Sequence, residues 1–169
     1  MRRIWRFLAL GLAMALFLAS CGRRGEKSAE EILREICEAA GELPEGAIYR
    51  LAAEEGEADY LSPQLVHSLY GEEGDEILAS KILADAALYL SSFASPYEIA
   101  VFHTYSRSDA DSVAAMCLSR ADELQVARHR TEWESLVSSL RIVVRGRWVV
   151  VLVTDNQEEA EAEVLRLLR

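Results

Sequence analysis

Histidine, cysteine and proline are scarce in this sequence, with three of each among 169 residues. His67, His103 and His129 include no pair at i, i+4 spacing and no neighbouring cysteine, which argues against the familiar kinds of zinc site. The sequence has no Gly-x-Ser-x-Gly segment of the kind found in serine hydrolases, and no glycine-rich loop for a phosphate group. We therefore predict no catalytic residue set, no metal site and no cofactor.

Basic residues are also fewer than acidic ones: 18 lysines and arginines against 28 aspartates and glutamates give a formal net charge of −10. This balance argues against binding to nucleic acid, which requires clustered lysine and arginine. A hydrophobic content of 51% with few prolines predicts a folded domain with a core rather than a disordered stalk. The apolar run at residues 7–19 would reach only about 20 Å as a helix, short of the roughly 30 Å core of a bilayer.

The N-terminus has the layout of a secretory signal, with three arginines among the first six residues before the apolar run. The run ends in Leu-Ala-Ser-Cys, and this tetrapeptide, which finishes at Cys21, resembles the lipobox of bacterial lipoproteins. In such proteins the cysteine thiol receives a diacylglycerol and a peptidase cleaves just before it. The resemblance implies lipidation of Cys21 and a lipid-anchored location on the extracytoplasmic face of the cell membrane.

The predicted organisation is a signal peptide at residues 1–20, a lipidated cysteine with a short tether at 21–27, and one globular domain at 28–169. Loss of the signal peptide would remove three basic residues and no acidic one, which changes the net charge from −10 to −13. Two alternatives stay open for the N-terminus: an uncleaved membrane span, or a soluble secreted protein cleaved elsewhere. Cys37 and Cys117 would remain, either as a disulfide or as packed apolar side chains.

Helix and strand patterns predict an α+β fold, with a small, mainly antiparallel sheet of about four to five strands packed by helices. Ser28 and Glu31 form a capping box before an amphipathic helix. Residues 98–105 alternate as a strand. Two β-rich runs joined at Gly146 predict a C-terminal hairpin, and residues 148–153, apolar at every position, predict a central strand covered on both faces.

Other local signals predict where helices begin and end. A short helix after Ser62 should stop near Gly71, with an acidic turn at residues 72–76. Ser108 with Asp111 should cap a long helix that ends near His129. Two further caps are predicted, at Thr131 with Glu134 and at Asp155.

The order of these elements resembles an uncharacterised family of small bacterial lipoproteins that carry a domain of unknown function. The matching features are residues 98–102, Arg120, Trp133 and residues 143–150, and the similarity covers residues 28–169. At Tyr97 this chain departs from the family pattern, which often has aspartate before the glutamate of the strand. The resemblance implies a cell-envelope location and brings no catalytic residues with it.

Polar and aromatic residues in and beside the strand at 98–105 and the C-terminal hairpin could form a binding surface. Tyrosine joins an apolar ring to a hydroxyl, and arginines at a hairpin could meet an acidic partner or lipid headgroups. The candidates are Tyr97, Glu98, His103, Tyr105, Arg145 and Arg147.

The leading hypothesis is a non-enzymatic interaction or accessory module with an envelope protein partner. An envelope hydrolase of wall polymers, which would gather Glu98, His103 and Tyr105 in one cleft, and a small-ligand carrier are the alternatives.

Overall fold

The computed structural model describes residues 26–92 and 95–169. The predicted signal peptide, Cys21 and most of the predicted tether lie outside the described residues. Across the part of the chain that is described, none of the helices has the length and apolarity needed to cross a membrane.

Five strands form a single sheet in which every neighbouring pair is antiparallel. Their spatial order is β1-β2-β3-β5-β4, so β3 and β5 lie in the interior of the sheet. The α+β fold with a small antiparallel sheet is therefore confirmed. The strands are β1 (Gly46–Arg50), β2 (Leu83–Ser91), β3 (Glu98–Thr104), β4 (Arg141–Arg145) and β5 (Trp148–Val153).

Helices cover both faces of the sheet. On one face α1 and α5 pack against each other and against the strands, and on the other face α2 and α3 pack together with the short α4 beside α3. The helices are α1 (Ala29–Ala40), α2 (Pro63–Ser80), α3 (Arg107–Arg128), α4 (Glu134–Ser138) and α5 (Gln157–Leu167).

Two of the three interior strands, β3 and β5, are buried along their whole length. Every residue of β3 and of β5 is buried, because side chains that alternate along a strand meet helices on both sides. The prediction that residues 148–153 form a central, doubly covered strand is confirmed. Since β3 also runs across the middle of the sheet, its two ends define the two ends of the molecule.

The predicted helix cap is confirmed at α1, whereas the predicted start of α3 is displaced by two residues. The capping box of Ser28 and Glu31 is present, and α1 ends at Gly41, whose φ of 81° suits glycine. The long helix α3 begins two residues earlier than predicted, because Ser106 and Asp109 form its capping box. It ends where the sequence indicated, with His129 at the C-cap.

The acidic segment at residues 72–76 is helical, so the prediction of a turn there is wrong. Helix α2 continues to Ser80 across a kink at Gly71, whose φ of 59° and ψ of −147° interrupt the helical backbone. Beyond the kink Gly74 lies so close to Val66 and Tyr70 that an added Cβ would be 2.8 Å from each side chain. Packing between the two parts of α2 therefore overrides the local preference for a turn.

The C-terminal hairpin is confirmed, with Gly146 at a φ of 62° between β4 and β5. Neither of the last two predicted caps forms. The N-cap residue is Trp133 in α4 and Asn156 in α5, and neither side chain forms a cap hydrogen bond. Asp155 instead accepts a hydrogen bond from the Tyr97 hydroxyl at 2.5 Å, since the packing of β3 beside β5 brings the two together.

Candidate functional site

The six candidate residues lie at two opposite ends of the sheet. Tyr97 and Glu98 stand at the start of β3, whereas His103 is near its end and Tyr105 follows it. Five residues of strand separate Glu98 from His103 by about 17 Å, and the odd spacing places the two side chains on opposite faces of the sheet. The structure therefore does not bring Glu98, His103 and Tyr105 together in one cleft.

At the first end, Glu98 is buried beneath two helices. The Tyr70 hydroxyl on α2 donates a hydrogen bond to Glu98 Oε1 at 2.9 Å. On α3 the Arg120 Nη2 atom lies 3.7 Å from Glu98 Oε2, which is an ion-pair distance but too long for a strong hydrogen bond. Tyr70 also packs edge-on against Phe102 of β3, with ring centroids 5.9 Å apart, so its hydroxyl is held in place by the core.

Burial dominates the electrostatics of this group. Loss of solvent raises the pKa of Glu98, and the Arg120 charge and the Tyr70 hydrogen bond oppose that rise. Burial also raises the pKa of Tyr70 well above its usual value, with the Glu98 charge adding to the effect. Tyr70 therefore stays a neutral hydrogen-bond donor toward the carboxyl group of Glu98.

A cleft of about 390 Å³ opens beside this group, between the β1–β2 edge of the sheet and helices α2 and α3. Four leucines and two tyrosines contribute to its walls, and Glu98 and Arg120 lie in its lining. The described residues that line it are Glu45, Gly46, Ala47, Tyr49, Leu65, Leu69, Leu90, Ser91, Ser92, Ser95, Pro96, Tyr97, Glu98, Arg120, Leu124 and Arg128.

Tyr97 fixes one wall of the cleft. Its ring packs edge-on against Trp133, with centroids 5.8 Å apart, and its hydroxyl is bonded to Asp155. That hydrogen bond to a carboxylate raises the pKa of Tyr97 to about 12. The hydroxyl is engaged on the protein side, so Tyr97 offers the cleft its ring rather than a polar group.

His103 and Arg147 lie at the opposite end of β3. The His103 ring stacks on Trp148, with centroids 3.9 Å apart and planes inclined by 6°. Glu26 Oε1 lies 3.5 Å from His103 Nε2 and 3.0 Å from Arg147 Nη2. Burial lowers the pKa of His103, so the ring is neutral at neutral pH, although the nearby Glu26 carboxylate opposes that shift.

Tyr105 and Arg145 complete this second end. Tyr105 follows β3 and its side chain is 65% exposed. Arg145 is the last residue of β4, directly before the hairpin turn, and is exposed. These two residues are near the N-terminal end of the described chain and remote from the cleft.

The two remaining cysteines do not form a disulfide in this fold. Cys37 lies on α1 and Cys117 on α3, on opposite faces of the sheet, and both are free. The sheet between them prevents the close approach that a disulfide requires. Burial raises the pKa of the Cys37 thiol to about 11 and that of Cys117 well above its usual value, so both behave as packed apolar groups.

Within residues 26–92 and 95–169, no cluster of three or more histidine, cysteine, aspartate or glutamate side chains is arranged to hold a metal ion. The polar groups that line the cleft are instead suited to binding through hydrogen bonds and charge.

The cleft contains residues that were not among the sequence candidates. Arg120, Leu124 and Arg128 recur every four residues and therefore share one face of α3, a spacing from which the charged stripe could have been read. Tyr70, which contacts Glu98 of the cleft, gave no such signal, because the contact joins residues 28 positions apart.

Comparisons with protein-family models, curated proteins and solved structures find no match for this chain. The function is therefore argued from the geometry of the cleft.

Proposed function

We propose that this chain is a lipid-anchored, non-enzymatic binding module on the extracytoplasmic face of the cell membrane, with the cleft beside Glu98 as its binding site. The anchor is argued from the signal layout and from Cys21. The two acyl chains of a diacylglycerol suffice for stable attachment.

One observation carries the binding role: the cleft lies at the end of the sheet opposite the N-terminus of the domain. Glu26 contacts Arg147 and His103 at the far end of β3. The seven residues of β3 separate that end from Glu98 by about 20 Å. The cleft therefore lies at the end of the domain away from the bilayer when the other end faces the membrane.

The length of the tether supports this orientation. Cys21 precedes Glu26 by five residues, which span at most about 18 Å when fully extended. A lipid on Cys21 would thus hold the hairpin end, with Arg145 and Arg147, close to the bilayer surface.

Among the alternatives, the cleft favours a small-ligand carrier over a wall hydrolase. Its volume of about 390 Å³ falls at the lower end of the range of small-molecule sites, roughly 300–1,000 Å³. A glycoside hydrolase of the usual kind needs two carboxyl groups placed on either side of the scissile bond. Here Glu98 is engaged by Tyr70 and Arg120.

The anchor is tested with Cys21→Ser, using metabolic incorporation of an alkyne-labelled fatty acid. We expect the wild-type protein to be labelled and processed, and the variant to accumulate as an unlabelled precursor. A Cys37→Ser variant, which leaves Cys21 intact, serves as the matched control and should be labelled like the wild type. Labelling that persists in Cys21→Ser would contradict the anchor.

The orientation is tested separately, with a fluorophore attached to Arg145→Cys at the hairpin or to Ser92→Cys at the rim of the cleft. In vesicles containing a headgroup-linked quencher, we expect the hairpin probe to be quenched more strongly than the cleft probe. Equal or reversed quenching in a labelled, membrane-bound protein would exclude this orientation and leave the anchor intact.

A further inference from the structure

The cleft presents two arginines to any ligand that enters it. Arg120 and Arg128 lie two turns apart on the same face of α3, with Leu124 between them, and all three line the cleft. The Arg120 side chain is only 20% exposed. In the part of the chain that the structure describes, Arg128 forms no ion pair within 4 Å.

Arg120 has hydrogen-bonding capacity that the protein does not use. A guanidinium carries five N–H donors. Its Nε is buried and has no acceptor among the described residues, and its Nη2 is 3.7 Å from Glu98. A buried donor without a partner costs about 1–3 kcal/mol, so an acceptor brought by a ligand would relieve that cost.

Ser95 supplies a second unused polar atom in the same cleft. Its Oγ is also buried with no partner among the described residues, and it lines the cleft with Arg120. Only five side-chain atoms of the described residues are in this state, and two of them therefore lie at one site. A ligand with oxygen acceptors in this cleft would offer both atoms a partner.

The rest of the lining is suited to an apolar group. Leu65 and Leu69 of α2 face the cleft from one side, with Tyr49 and Leu90 of the sheet on another. Burying apolar ligand surface against such walls contributes roughly 25 cal/mol for each Å² removed from water. The ligand therefore needs an apolar body as well as a polar end.

The charges that line the cleft favour an anionic end over a cationic one. Glu98 already has Arg120 and Tyr70 as partners, while the charge of Arg128 is uncompensated among the described residues. Glu45 at the opening is exposed, so water screens it. A planar carboxylate matches the fork of a guanidinium, which makes it a better partner than a compact cation or a neutral amide.

The geometry points to a small monocarboxylic acid with an apolar body as the ligand of this cleft, its carboxylate held by Arg120, Arg128 and Ser95. This inference rests on the proposed function, because it assigns a ligand class to the binding site named there. It involves no covalent step.

The test uses the acylated protein in nanodiscs and three probes that differ in one group: phenylbutanoate, phenylbutanamide and phenylbutylamine. Binding is measured by ligand-observed NMR, with empty nanodiscs as the blank. We expect phenylbutanoate to bind at least tenfold more tightly than the amide or the amine. Equal or tighter binding of the amide or the amine would overturn the ligand class while retaining the cleft as a binding site.

Variants locate the binding. Arg128→Gln and Ser95→Ala leave the contacts of Glu98 untouched, and each should weaken phenylbutanoate binding several-fold with little change for the amide. Arg145→Gln at the opposite end is the matched control and should bind as the wild type does. Unchanged binding in both cleft variants would overturn the assignment, as would the absence of binding by any probe, and neither result bears on the labelling of Cys21.

Discussion

Tyr70 and Glu98 are joined by a hydrogen bond of 2.9 Å between a buried phenol and a buried carboxyl group. The bond links α2 to the first residue of β3, and Glu98 lines the cleft. It also offsets part of the cost of burying Glu98, whose other oxygen faces Arg120. The same contact therefore stabilises the domain and fixes the carboxyl group beside the proposed ligand site.

Replacing Tyr70 with phenylalanine should reveal the strength of that contact. Tyr70→Phe keeps the edge-on packing with Phe102 but leaves Glu98 without its hydroxyl donor. We expect a loss of about 1–3 kcal/mol in the free energy of unfolding, the range for hydrogen bonds to a charged or buried group. Urea denaturation followed by tryptophan fluorescence measures this loss. Tyr105→Phe, which changes an exposed hydroxyl, should lie within about 0.5 kcal/mol of the wild type. Wild-type stability in Tyr70→Phe would refute the role given to the bond.

The kink in α2 gives a second prediction, at Gly71. Its φ of 59° and ψ of −147° lie in a region that residues with a Cβ rarely adopt, although the space around it is open. Gly71→Ala should therefore lower the free energy of unfolding by about 1–3 kcal/mol through backbone strain alone. Glu72→Ala, at the exposed neighbour, is the matched control and should be nearly neutral. A neutral Gly71→Ala in the same urea titration would mean that the kink is not required.

How much the sequence predicts depends on how local each interaction is. The capping box at Ser28, the hairpin at Gly146 and the apolar strand at residues 148–153 depend on neighbouring residues, and all three were predicted correctly. In α2 the start at Ser62 and the interruption at Gly71 were predicted correctly. The turn predicted at residues 72–76 was not, because packing of Gly74 against Val66 outweighs the turn preference of an acidic segment.

The cleft could not be predicted for the same reason. Its walls come from β1, α2, β2, the start of β3 and α3, so it depends on tertiary packing. Glu98 and His103 were predicted to share one surface because they are close in sequence. A strand places them about 17 Å apart and on opposite faces. Arg120 was noted from the sequence only as a matching residue, since its partner Glu98 is on another element.

The free thiols give a third prediction. Cys37 and Cys117 should remain reduced after the protein is exposed to oxidised glutathione, because the sheet separates them and burial raises the pKa of both. Mass spectrometry after alkylation should find both Cys37 and Cys117 modified in urea. Without urea, Cys37 should react slowly and Cys117 should be protected. A Cys37–Cys117 crosslink in folded protein would contradict the arrangement of α1 and α3.

The last prediction concerns pH and His103. Its ring is flanked by Glu26, Asp85 and Arg147, yet burial leaves its pKa below the ordinary value. The unfolded chain has a histidine pKa of about 6.5. As the pH falls, the unfolded chain therefore binds a proton at a higher pH than the folded chain does. Stability then falls as the pH drops from about 6.5 toward the lower folded-state pKa, and the histidine has no effect well above that range.

His103→Phe separates this contribution from the titration of the carboxylates. Phenylalanine keeps an aromatic ring stacked on Trp148 and cannot be protonated. We expect the difference in free energy of unfolding between wild type and variant to be constant above about pH 7.5 and to move in favour of the variant as the pH falls to 5. Carboxylates remote from residue 103 titrate in both proteins and cancel in the difference. A difference that stays constant from pH 8 to 5 in urea titrations would show that the pKa of His103 is the same in the folded and unfolded chains, with the Glu26 carboxylate balancing the loss of solvent at this end of the sheet.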